Sequence, residues 1–132
     1  MYTCTGEPLS RAFASADLFV MPSDTETLGF VVMEALASGV PVVGVRAGGL
    51  IDIIDDSTTG YLAENAENMD DFSAKVALLV NDPTLRSQYA QAAVNWAQRW
   101  SWETATAKLR NLQYAQALAR FRSKHQTSAH ST

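Results

Sequence analysis

Two apolar runs of strand length, Leu18 to Met21 and Val40 to Val45, flank a helix-forming stretch from Phe30 to Ser38, and this spacing narrows the fold more than any other feature. The second run, VPVVGV, contains no polar side chain, which suits a strand covered on both faces, as in a parallel sheet with helices above and below. Strand, helix, strand is then a βαβ unit. Five polar residues and Gly29 separate Pro22 from the helix, and Gly39 supplies its stop. RAGGLIDIIDD and then STTGYLAE read as a loop, a short apolar turn and a brief strand, a second and shorter βα repeat. No helix is expected to open at Gly48-Gly49, and the glycine spacing there is wrong for a dinucleotide fingerprint.

Helices account for the rest. Pro8 to Ala16 forms a short one with proline in its first turn. Asp70 to Val80, Pro83 to about Trp100, and Ser101 to about Lys124 follow, with Asp82 and Ser101 as N-caps. Leu85, Tyr89, Ala92, Ala93 and Trp96 share one stripe of the middle helix. The expected organisation is an α/β front over residues 1–68, helices of the same domain over 69–124, and a polar tail over 125–132. Two or three strands make a small sheet, so the chain is expected to pair with another or to belong to a larger protein.

Charge and composition exclude several functions. No apolar run approaches the roughly 18 residues of a membrane span, and MYTCTGEPLS lacks the features of a signal peptide, so the chain reads as soluble and unsecreted. A lone Cys4 excludes an intrachain disulfide and a thiol-built metal cluster. His125 and His130 lie in the polar tail, and no metal is expected. Residues 1–100 carry five Lys and Arg against thirteen Asp and Glu, whereas residues 101–132 carry five against one. That basic end suits an acidic protein face or an anionic lipid surface, but it lacks the concentrated patch that nucleic acid requires.

Glu34 raises the sharpest question, because Phe30 to Ala37 is otherwise apolar. An unpaired buried carboxylate is costly, so Glu34 must be exposed, paired or hydrogen-bonded to a ligand. Exposure would put it on a narrow solvent face with Thr27 and Ser38. The functional reading starts from the loop Ser23 to Gly29, at the carboxyl end of the first strand, where open α/β sheets bind ligands. The following helix start offers free N–H groups and a partial positive charge to a phosphate, and Gly29 allows close backbone approach. Glu26 and Glu34 would flank that phosphate as acceptors for hydroxyl groups, or Glu26 would simply be an acidic residue stabilised by the helix start.

The stretch PSDTETLGFVVMEALASGVPVV, with Glu26 and Glu34 in a setting of Pro22-Ser23, Gly29, Glu34-Ala35 and Ser38 to Pro41, resembles the donor-binding signature of retaining family 4 glycosyltransferases of the GT-B fold. The resemblance implies a partial Rossmann-like C-terminal domain of that fold followed by a helical C-terminal segment. It implies Glu26 as the catalytic position, on the transferred sugar, and Glu26, Thr27, Leu28, Gly29, Phe30 and Glu34 as donor-binding. Glu34 would hold the ribose and the N–H groups near Leu28, Gly29 and Phe30 the diphosphate. Arg46 with Gly48-Gly49 resembles a loop near that site, although a surface turn reads equally well. The likeness runs from about Leu9 to about Lys124, and within the family it is greatest to the plant and algal sulfoquinovosyltransferases, which join UDP-sulfoquinovose to diacylglycerol.

Several expectations follow from this resemblance. The donor is a nucleotide-sugar, with UDP expected, no cofactor is needed, and a lipid such as diacylglycerol is the acceptor. The place is a chloroplast membrane surface for a sulfolipid enzyme and the cytoplasm otherwise. The family's N-terminal domain, and the Arg and Lys that neutralise the leaving diphosphate, lie outside these residues, so the chain alone is expected to be inactive. A noncatalytic nucleotide-sugar-binding or interaction module from a truncated chain is the alternative. Trp102, Ala105, Leu109 and Leu112 form a stripe for contact with the N-terminal domain. Lys108, Arg110, Arg120, Arg122 and Lys124 beside Leu118 and Phe121 suit peripheral membrane contact instead. Trp96, Trp100 and Trp102 read as core and interface aromatics.

Overall fold

The computed structural model describes residues 6–65, 67 and 69–127, with side chains as far as 123. Cys4, His130 and residues 128–132 of the tail lie outside the described residues. The chain divides into two compact units after Gln98.

The first unit is an α/β layer. Helix α1 (Glu7–Ala14) leads to β1 (Phe19–Met21), α2 (Phe30–Ala37), β2 (Val42–Val45), α3 (Leu50–Ile53), β3 (Gly60–Ala63), α4 (Met69–Asn81) and α5 (Pro83–Ala97). The three strands form one parallel sheet in the order β1-β2-β3, with Phe19 opposite Val42 and Val42 opposite Gly60. Both expected parallel crossovers are present, β1-α2-β2 and β2-α3-β3. One expectation is corrected: a helix does open after Gly49, since α3 starts at Leu50. Its four residues fall below the length at which a 3.6-residue period is readable.

Strand β2 is fully buried, and its alternation explains why both faces are apolar. Val42 joins Phe13, Val32, Ala35, Leu36, Leu50, Ile53, Ile54, Leu62 and Ala93 on one face. Val43 and Val45 meet Ala63, Phe72, Leu79 and Tyr89 on the other. Helix α5 buries the stripe read from its spacing, with Tyr89 and Ala93 buried and Leu85, Ala92 and Trp96 half-buried. Tyr89 donates its hydroxyl to the Tyr61 hydroxyl at 3.1 Å, and burial, then that bond, pushes the Tyr89 phenol well above its ordinary pKa. Trp96 Nε1 donates to the Ile53 carbonyl at 2.7 Å, tying the end of α5 to the end of α3. Asp82 caps α5 as expected, its Oδ1 accepting the Leu85 N–H at 2.9 Å.

The second unit is helical. Ser101 caps α6 (Trp102–Lys108), its Oγ accepting the Thr104 N–H at 3.1 Å. A π-helical turn (Leu109–Tyr114) follows, and α7 (Ala115–Thr127) continues the helix. The polar tail expected from His125 is thus helical to Thr127. Trp100 and Trp102 are both exposed, so of the three tryptophans only Trp96 packs on the core.

Candidate functional site

In a parallel sheet every strand ends on the same edge, so the segments after β1 and β2 emerge side by side. Here they touch through their backbones. The Gly49 N–H donates to the Glu26 carbonyl at 3.1 Å. A Cβ on Gly48 would lie 2.1 Å from the Glu26 carbonyl oxygen, and one on Gly49 would lie 2.4 Å from that of Thr27. Only glycine permits this stacking, which fixes the height of the Ser23 to Gly29 loop above the sheet. Of the two readings of Gly48-Gly49, site loop or surface turn, the structure puts these residues directly against the Glu26 segment.

Gly29 turns that loop into α2 with a left-handed φ of 58°, and its carbonyl accepts the N–H groups of Val32 and Met33 at 2.9 and 3.0 Å. A side chain there would be strained and would meet Ile53 Cδ1 at 2.8 Å. Glu26 folds back onto this helix start: its Oε1 accepts the Gly29 N–H at 3.0 Å and the Leu28 N–H at 3.4 Å. A carboxylate is therefore seated where a helix start favours an anion. Thr27, Leu28 and Phe30 are exposed, so Leu28 and Phe30 present apolar side chains to solvent while their backbones form the turn.

Glu34 lies one helical turn beyond Phe30 and is exposed. It lines an open cavity of about 330 Å³ with Leu9, Ser10 and Phe13 of α1 and with Ser38. Glu26 is not among the residues that line it. Glu26, Thr27, Leu28, Gly29 and Phe30 are thus gathered at the helix start, and Glu34 addresses a neighbouring hollow against α1. Sequence reading missed the part α1 plays. The available signal was Ser38, placed with Glu34 on the solvent face, whereas Leu9, Ser10 and Phe13 carry no mark of a site in their own short helix.

Arg46 turns to the far strand. It donates to Asp56 at 2.5 Å and to Glu64 at 3.3 Å, while Asp56 Oδ1 also accepts the Leu62 N–H at 3.0 Å. The hydrogen bond that Arg46 donates to Asp56 raises the Arg46 pKa further above an already high value. Among the described residues no group of three or more His, Cys, Asp or Glu side chains is placed to hold a metal ion.

Glycine-stacked loops at the carboxyl edge of a parallel three-stranded sheet flanked by helices define an α/β protein of the doubly wound class. The chain belongs to the family described as Glycosyl transferases group 1, whose profile matches residues 4–96. It is similar to the sulfoquinovosyl transferase SQD2 of Arabidopsis thaliana, 44% identical over 125 residues, covering 92% of this chain and 24% of that protein. It is also similar to the D-inositol 3-phosphate glycosyltransferase of Saccharomonospora viridis, 38% identical, covering 89% of this chain and 27% of that protein. The chain spans about a quarter of the length of these curated relatives.

Solved structures agree on the fold. Sucrose-phosphate synthase from Thermosynechococcus elongatus superposes with a TM-score of 0.70 at 26% identity, over 83% of this chain and 27% of that one. A TarM variant from S. aureus in complex with fondaparinux, alpha-GlcNAc-glycerol and UDP superposes with a TM-score of 0.69 at 32% identity, over 79% and 21%. The α/β architecture is therefore that of the C-terminal region of GT-B glycosyltransferases.

Proposed function

We propose that this chain is the donor-binding part of a glycosyltransferase that takes its sugar from a UDP-sugar and transfers it with retention. The observation that carries this reading is the helix start of α2, where the Leu28 and Gly29 N–H groups already hold one anionic group, the Glu26 carboxylate. A diphosphate arriving there exchanges a phosphate oxygen for Glu26 Oε1. The exchange frees Glu26 to accept hydrogen bonds from hydroxyls of the transferred sugar, the step that makes it the catalytic position. Glu34, exposed over the hollow against α1, accepts from the two ribose hydroxyls. The similarity to SQD2 supports UDP-sulfoquinovose as donor and diacylglycerol as acceptor, with a plastid membrane surface as the place of work. Residues outside this chain orient the acceptor and neutralise the leaving diphosphate.

Thermal unfolding with and without UDP tests the reading. UDP is expected to raise the midpoint of the chain, and Glu34→Ala is expected to abolish that rise while leaving the ligand-free midpoint within about 0.5 kcal/mol of equivalent stability. Glu34→Gln keeps the shape and is expected to weaken the protection. A folded chain that neither UDP nor a UDP-sugar protects would overturn the donor-site reading and leave a noncatalytic interaction module.

A further inference from the structure

The π-helical turn at Leu109 to Tyr114 changes which side chains of the second unit share a face. At about 100° per residue, an unbroken α-helix would set Phe121 about 100° and Leu118 about 160° round from Trp102, with Arg120 in line with Trp102. Closing a turn onto the fifth residue instead of the fourth takes in one extra residue, so everything beyond it is set back by about 100°. Phe121 then aligns with Trp102, and Leu118 stands about 60° away. Leu109 and Ala105, ahead of the turn, lie about 20° and 60° to the other side. The two apolar groups that regular spacing keeps apart become one stripe. Its members are exposed: Trp102 is 84%, Leu109 46%, Leu118 53% and Phe121 59% accessible.

The same shift sorts the charges. Arg120 leaves the centre of the stripe for one flank, joining Lys108, and Arg122 with Arg110 takes the other. Beyond Glu103 the sequence contains no Asp or Glu. An apolar stripe with an exposed tryptophan at one end and cations along both borders matches a helix lying in a lipid interface, where Arg and Lys stems cover apolar surface and their heads meet anionic headgroups. Among the described residues no helix is long and apolar enough to cross a membrane. The geometry points to a docking site for an anionic lipid surface, formed by α6, the π turn and α7. This inference goes beyond donor binding and stands or falls separately from it.

Deleting Asn111 tests it, because the deletion restores α-helical register while keeping every apolar and charged residue of the helix. The 132-residue protein is expected to co-sediment with vesicles of equal parts phosphatidylglycerol and phosphatidylcholine, with a blue shift of tryptophan emission, and not with pure phosphatidylcholine. The Asn111 deletion, with helix content matched by circular dichroism, is expected to lose about tenfold in partitioning. If the deletion disturbs helix content, Leu118→Ser decides and is expected to weaken partitioning in the same direction. A folded wild-type chain that stays in the supernatant, or a matched variant that partitions like wild type, would overturn the proposal and assign the stripe to a protein surface. UDP protection of the first unit is unaffected in either case.

Discussion

Gly48 and Gly49 do their work by lacking a side chain. Their backbones lie against the carbonyls of Glu26 and Thr27, and the Gly48 φ of 52° adds a second reason for glycine. Gly48→Ala is expected to cost about 1–3 kcal/mol in denaturant unfolding and to lose UDP protection, because the Cβ must push the Glu26 segment away. Retained stability and UDP binding would show that the two loops separate freely. In the sequence this contact was half visible. Two adjacent glycines announce a turn, but a backbone meeting a distant backbone leaves no mark on the residues it meets. The carboxylates were easier: Glu34 stood out against an apolar helix and proved exposed, and Glu26, read as an acidic residue stabilised by the helix start, does accept the Gly29 N–H there. Arg46 was grouped with the glycine loop because it is adjacent in sequence, whereas its guanidinium belongs to Asp56 and Glu64.

Among the elements, those with long apolar signals were legible: the strands, α2, the stripe of α5, and the caps Asp82 and Ser101. Helix α3 was not, being one turn long, nor was the π turn, since no residue type announces an i→i+5 bond. Element ends are also where charge matters. Asp71, in the first turn of α4, takes Lys75 Nζ at 2.8 Å and the Glu64 N–H at 3.0 Å, fastening the helix to the segment after β3. The Lys75 bond first, then the backbone bond, holds the Asp71 pKa below its ordinary value. The unfolded chain therefore binds this proton more readily than the folded one, so the contribution is present above the ordinary carboxylate pKa and is lost as pH falls through the lower folded value. In acid titration, wild type is expected to lose more stability below about pH 4 than Asp71→Asn, which carries no titrating group there. Parallel acid-limb curves for the two proteins would assign the acid sensitivity elsewhere.

At the scale of the whole molecule, the loops proposed to bind the donor carry little that could drive chemistry. The segment Ser23 to Gly29 contains no cation, and Arg46, beside the glycine loop, is committed to two acidic side chains. Breaking a sugar–diphosphate bond needs positive charge on the leaving group and an oriented acceptor. The 132-residue chain is therefore expected to transfer no sugar from labelled UDP-sugars, even at concentrations where UDP protects it, and robust turnover by the pure chain would refute this. A sheet of two or three strands was readable, and the structure has three; the division after Gln98 was not, because helical spacing continues across it.

The bond from Trp96 to the Ile53 carbonyl has a consequence in time. The two residues are 43 positions apart, and the carbonyl it satisfies closes the short helix that follows the glycine loop. On a ribosome adding roughly 5–20 residues per second, Ile53 waits on the order of 2–9 s for its partner to be made. The second loop of the site is thus fastened late, by the last helical turn of the unit, and a nascent chain stopped before Trp96 carries the loop without its clasp.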